Sequence, residues 1–358
     1  MTPLWINLAI VFTLAFFSRY FSNPVLVTTS AGTTFFIKHN KLLVFGSLVS
    51  LVLISGLRSG IGDTFFYKHI YEMNDFTWEY ISSQKDQGFG ILQMLLKKVS
   101  DDPQFLIFTT ALITNLLIVL VLYKYSRMLE LSLYVYITGG LFLITMNGIR
   151  QVLAAAIVFA AIKFLVEGNW IKYTLVVLFA STFHQSALVL IPIYFVVRCK
   201  AWSKATAGLV FLAILIVIGF DQFSATLFSA IKDTQYGHYN SFQEGGANPL
   251  RVAVELVPLL IAYLGRDKLK EIFPKSDVIV NMALIGFVFM LISTQNWIFA
   301  RFSIYFSLYQ LVLISWIVKL FKEKDQKLIY YGLIICYFVY YYYENVLSLG
   351  IIYKSEYF

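Results

Sequence analysis

The chain has 358 residues, of which 59% are hydrophobic and only 13% charged, with a formal net charge of +8. A soluble chain carries about 25% charged residues and needs them to cover its surface, so this composition excludes a soluble globular domain. The excess of positive charge does not point to nucleic acid, because lysines and arginines lie mostly between apolar runs, where they set membrane topology.

In chain order, apolar runs predict helices over 4–21, 42–57, 104–123, 131–147 and 149–166. A long run follows at 171–197, then helices over 204–221, 250–264, 278–293, 297–319 and 328–345. Crossing about 30 Å of hydrocarbon takes roughly 20 apolar residues, fewer where the bilayer thins. The expectation is an all-α, polytopic transmembrane helical bundle of about ten crossings, one integral membrane domain over 1–358. The first run has no basic residue before it and Arg19 after it, the reverse of a secretory signal. It reads as a retained helix with its N-terminus outside.

The run at 171–197 carries Ser181, Thr182, His184, Gln185 and Ser186 at its centre. One straight helix would place these five polar residues at mid-membrane. Two half-helices of 12–13 residues, roughly 19 Å each, could instead enter and turn back. With that re-entrant arrangement, 18 of the 28 lysines and arginines fall on the inner side, as the positive-inside rule prefers. Both termini then lie outside.

The same topology puts a long acidic loop, 58–103, on the outer face, with FGILQMLLKKV as an amphipathic helix along the interface. A second outer loop, 222–249, reads as irregular from YGHYNSFQEGGANP. The chain shows no internal repeat, which weakens transporter readings, and no nucleotide-binding loop. Cys199 and Cys336 suggest neither a disulfide framework nor zinc. His39, His69 and His238 lack metal-ligand spacing, so no metal or cofactor is expected.

Four of the eight arginines, Arg58, Arg150, Arg251 and Arg301, fall at outer helix ends. Guanidinium binds phosphate oxygens bidentately and keeps its charge when partly desolvated. The set therefore fits a phosphorylated lipid at the outer leaflet, although any one of them could be an anchor or an ion-pair partner. His184 could take a hydroxyl proton near neutral pH or simply pack at a broken helix. Asp63 could act as a base, orient a sugar hydroxyl, or N-cap a helix starting near Thr64. Tyr67 lies one helical turn on, so it shares a face with Asp63. The tyrosine run within 337–345 reads first as an interfacial belt.

These motifs together resemble the EpsG family of exopolysaccharide proteins, within the wider Wzy-type polysaccharide polymerases. The elements are Arg58, Gly62, Asp63, Thr64 and Tyr67; then Gly88-Phe89; then Arg150-Gln151 before VLAAAIVFAAIKF; then Phe183-His184-Gln185-Ser186-Ala187-Leu188; and Arg301 late in the chain. Where such proteins often have Glu-Pro before the Gly-Phe, this chain has Asp86-Gln87.

The resemblance implies a glycosyltransferase in a bacterial plasma membrane that joins polyprenyl-diphosphate-linked oligosaccharides at the outer face. Other polysaccharide export and assembly proteins would be possible partners, besides membrane lipid. The reaction needs cations for a departing diphosphate and a base for the attacking hydroxyl. Expected roles are diphosphate binding by Arg150 and Arg301 with Arg58 and Arg251, proton acceptance by His184 or Asp63, and sugar positioning by Gln151 and Tyr67. A ligase that passes the glycan to a different acceptor would need the same site. A lipid-oligosaccharide flippase would instead need charge lining both membrane halves.

Overall fold

A computed structural model describes residues 1–29, 32–230 and 245–357. The apolar runs are helical, and polar residues at their edges explain where they start. Asn40 accepts the N–H groups of Leu42 and Leu43 at the start of α2 (Lys41–Gly56). Asp102 accepts that of Gln104 ahead of Pro103, which opens α6 (Pro103–Tyr125). A side-chain oxygen at this position satisfies an N–H left free by the helix, and proline fits the first turn because it has none to lose.

The described residues form two compact units. The first comprises Met1–Tyr194 and Ile314–Phe358. It opens with α1 (Thr2–Tyr20), followed by an antiparallel hairpin of β1 (Asn23–Thr29) and β2 (Gly32–Lys38) that pairs Asn23 with Lys38. α2 packs on α1 and α6. Then come three helices within the long loop, α3 (Thr64–Met73), α4 (Trp78–Ser83) and α5 (Gln87–Lys97). They bury Tyr71, Phe76, Ile81 and Phe89 against Leu106 and Ile107 of α6. The expected amphipathic helix is thus α5, docked by Phe89 rather than standing alone.

After α6 the chain continues through α7 (Leu129–Thr138), α8 (Leu141–Asn147), α9 (Ile149–Ala160) and α10 (Ile162–Glu167). α7 and α8 meet at 55°, where Gly140 turns the backbone at φ +88°, a conformation costly for residues with a Cβ. Asn115 of α6 donates to Ser55 Oγ at 3.0 Å and accepts from the Tyr136 hydroxyl at 2.9 Å, so polar side chains join the helices inside this bundle.

The long run doubles back. α11 (Trp170–Ser181) leads into a polar turn, a 3₁₀ segment Gln185–Val189 and α12 (Leu190–Val197). The Tyr173 and Tyr194 rings lie 5.3 Å apart. A straight helix would separate them by about 31 Å. Both arms therefore end near one another, with Thr182 to Gln185 at the tip.

α6 fixes the length of this unit. Gln104, near its start, donates to the carbonyls of Gly56 and Arg58. Tyr123, near its end, reaches the His39 carbonyl at 3.3 Å. The two poles so defined are roughly 28 Å apart at 1.5 Å per residue, close to the thickness of a hydrocarbon layer. The C-terminal segment returns to the first pole: Tyr353 donates to the Ile54 carbonyl at 2.9 Å and Ser355 to that of Leu57 at 2.7 Å.

The second unit, Phe195–Leu313, contains α13 (Lys204–Ile218), α14 (Phe220–Ala230), α15 (Pro249–Leu264), α16 (Arg266–Ile272) and α17 (Ser276–Ile292). α13 and α15 both pack on α17. α18 (Ile298–Ile317) and α19 (Glu323–Tyr341) complete the chain. The stretch expected to be an irregular loop over 222–249 begins as α14, which bends 95° from α13; most of the remainder, His238 included, lies outside the described residues.

Among the described residues three helices are long and apolar enough to cross a membrane alone: Thr2–Tyr20, Pro103–Tyr125 and Ile298–Leu320. Counting the two bent pairs as spans makes five. Lys41–Gly56, Ile149–Ala160, Trp170–Ser181, Gln185–Val197 and Ser276–Ile292 are apolar but shorter.

Candidate functional site

The first pole gathers the sequence motifs of the first unit. Arg150 opens α9 and His184 stands at the tip between α11 and the 3₁₀ segment. The residue that joins them is Asp86, just before α5. Its Oδ2 accepts from the Arg150 guanidinium at 2.9 Å. Its Oδ1 accepts the Gln185 N–H at 3.2 Å and lies 4.0 Å from His184 Nδ1. The last distance exceeds hydrogen-bond length, so this contact is electrostatic. Asp86 is only 9% exposed, whereas the Arg150 side chain is 47% exposed. The guanidinium is thus anchored from behind and open in front.

The fit at the tip depends on a missing side chain. The Gly88 N–H donates to the Thr182 carbonyl at 2.8 Å, and a Cβ on Gly88 would collide with Thr182. This is the physical content of the Gly88-Phe89 motif: it lets the α5 N-terminus touch the turned-back run.

Tyr67 lies beneath Arg150, its ring centroid 6.0 Å from the guanidinium carbon, and meets Phe89 edge-on. Asp63 also acts on Arg150 electrostatically. Asp63 stands at the N-cap position of α3, as expected, but its carboxylate makes no capping bond. Its backbone N–H instead donates to Asn147 Oδ1 at 3.0 Å. Gly62, at φ +54°, leaves room for the Asn147 side chain. The Gly62-Asp63 turn and the α8–α9 junction are therefore one contact, made by residues 84 apart in the chain.

Arg58 differs from Arg150. It is 1% exposed; Nε donates to Thr64 Oγ1 at 2.9 Å and a terminal nitrogen to the Ser55 carbonyl. Burial pulls its pKa down to about 9, with Tyr353 and Tyr67 acting the other way, so it remains charged at neutral pH. Tyr67 interacts electrostatically with both Arg58 and Arg150. Gln151 is buried in α9.

Arg251 and Arg301 belong to the second unit. Arg301 is exposed, its guanidinium carbon 4.6 Å from the Trp297 ring centroid. Arg251 stands one turn before Glu255, whose carboxylate accepts from Ser307 at 3.2 Å.

The structure thus brings together Arg150, His184, Asp63, Tyr67 and Arg58 and adds two residues that sequence reasoning missed. Asp86 could have been found as the acid standing where similar proteins have Glu-Pro. Asn147 could have been found as a polar residue closing the apolar run LFLITMN.

A family model described as the EpsG family matches residues 41–357, which takes in every element of this pole. No curated protein and no solved structure matches the chain. The protein is therefore a member of the EpsG family, polysaccharide-polymerase-like membrane proteins.

Proposed function

We propose that the protein is a glycosyltransferase that extends an exopolysaccharide or capsular polysaccharide from polyprenyl-diphosphate-linked oligosaccharides at the outer face of a bacterial plasma membrane. On this reading the bundle crosses about ten times, and the 171–197 run enters from the inner side and turns back at His184.

The observation that carries the proposal is the Asp86 bridge between a half-exposed guanidinium and an imidazole. Arg150 offers its open face to the diphosphate oxygens, with the buried charge of Arg58 behind it. His184 accepts the proton of the acceptor sugar hydroxyl as that oxygen bonds to the anomeric carbon of the donor. The bond from that carbon to the diphosphate oxygen breaks, and its electron pair leaves with the diphosphate, stabilised by arginine. Asp86 holds Arg150 in place and offsets the charge that His184 acquires. Contacts of this kind are often long before substrate binds, which fits the 4.0 Å spacing. Asp63, Tyr67 and Gln151 position sugar hydroxyls. For Arg251 and Arg301, in the second unit, diphosphate binding rests on the sequence alone and is tested by substitution.

The test is in vitro polymerisation of a defined lipid-linked repeat unit by purified wild type and by Arg150→Gln, Arg301→Gln and His184→Asn, at matched protein levels. Shortened or absent polymer is expected in each. Wild-type polymer length in all three would reject the site.

A further inference from the structure

The opposite pole of the first unit holds a second cluster of charge that the proposed reaction does not use. Arg19, at the end of α1, pairs with Glu130 of α7 at 2.5 Å, and Glu130 is completely buried. Lys319 interacts electrostatically with Arg19, Arg127, Glu130 and the exposed Glu323. Arg127 is held by its backbone, whose N–H donates to Ser315 at 3.0 Å. Among the described residues, three cations thus face two carboxylates, one of them at the rim. Residues that merely set topology stand in water, where excess charge is screened. Here Arg19, Arg127 and Lys319 are all partly buried, where excess charge is costly.

A second, independent observation points the same way. His39 is 2% exposed, and neither ring nitrogen has a hydrogen-bond partner, although Arg19 and Arg127 both act on it. The buried Tyr330 hydroxyl also lacks a partner and lies within electrostatic reach of Arg19 and Glu130. Glu130 Oε2 is unpartnered too. Glu130 Oε2 is an acceptor and faces the cations, whereas the His39 N–H and the Tyr330 hydroxyl are donors. Buried polar groups are ordinarily hydrogen-bonded, so these two donors call for an acceptor, and the three cations select an anionic one.

We propose that this pole binds a phosphate-bearing anion, either the headgroup of an anionic lipid or free phosphate, between Arg19, Arg127 and Lys319, with His39 and Tyr330 completing its hydrogen bonds. Arginine and lysine together suit a tetrahedral oxyanion: the planar fork takes two oxygens and the ammonium a third. The site lies at the opposite end of α6 from the first pole and stands whether or not the polymerase reading holds.

The experiment uses the full chain purified in neutral detergent, with thermal melting followed during separate titrations of inorganic phosphate, phosphatidylglycerol and phosphatidylcholine. Phosphatidylglycerol or phosphate should raise the melting temperature by about 3 °C near saturation, with phosphatidylcholine inert. A response to the lipid alone identifies the headgroup as the source; a response to both shows that free phosphate suffices. Arg127→Gln/Lys319→Gln should weaken that binding at least about tenfold. Arg19 is left intact because removing it would strand Glu130. If the double variant does not fold, Lys319→Gln alone should weaken binding several-fold. No stabilisation of the wild type by either anion would overturn the proposal, as would unchanged affinity in the variants.

Discussion

Replacing Asp86 by Asn keeps the size of the side chain and removes its charge. Two contacts change together: the 2.9 Å pair with Arg150 and the 4.0 Å approach to His184. At 4.0 Å a carboxylate stabilises an imidazolium by about 4 kcal/mol at an effective dielectric of 20. His184 is 21% exposed, so solvent screening reduces this to about 2 kcal/mol. If that charge forms in the transition state, Asp86→Asn slows polymerisation about 30-fold. Asp86→Glu, which keeps the charge, should recover part of the loss. Rates of lipid-linked repeat consumption for D86N, H184N and the double variant form a thermodynamic cycle. Groups acting as a unit are non-additive, so the double variant should lose less than the product of the two single losses, the remainder being the part that Asp86 exerts through Arg150. A D86N enzyme at the wild-type rate, or losses that multiply in the double variant, would show that Asp86 does not serve His184.

Gly88→Ala places a methyl group against Thr182; overpacking of this kind costs roughly 1–3 kcal/mol, and a lowered melting temperature with reduced polymerisation is the expected result. Deleting residues 353–358 removes the bonds from Tyr353 to Ile54, from Ser355 to Leu57 and from Ser59 to Lys354. At roughly 1 kcal/mol each, their loss should speed amide exchange across 54–68 by more than tenfold, read by hydrogen-exchange mass spectrometry. Burial, then Arg19 and Arg127, lower the pKa of His39 from 6.5 to about 4. The unfolded chain therefore takes up a proton below pH 6.5 that the folded chain refuses. Stability should fall as pH drops from 6.5 toward 4, by at most roughly 3 kcal/mol. His39→Gln should flatten this part of a pH–melting profile, and bound phosphate should do the same by favouring the charged imidazole.

The proposed division of labour also accounts for the different burial of the two arginines at the first pole. A guanidinium that must grip and release a charged leaving group needs an open face, and Arg150 has one. A guanidinium that only contributes field can be enclosed: Arg58 donates to Thr64 and Ser55, while its second terminal nitrogen is buried without a partner.

The helices of this protein are determined by the sequence alone, because apolar length and capping residues such as Asn40 and Asp102 are local properties that need no partner. The polar break at 181–186 was legible for the same reason. The β1–β2 hairpin escaped notice because alternation is hard to see in so apolar a chain. Tertiary structure alone decided that the 171–197 run doubles back, since the sequence permits a straight helix and only packing joins Tyr173 to Tyr194. It also decided that Asp86 is the hub. Its partners lie 64 and 99 residues away, and a carboxylate acquires a role only from the charges that folding brings to it. The cationic cluster around His39 is of the same kind: four residues spread from Arg19 to Lys319 meet only because their helices end at one pole.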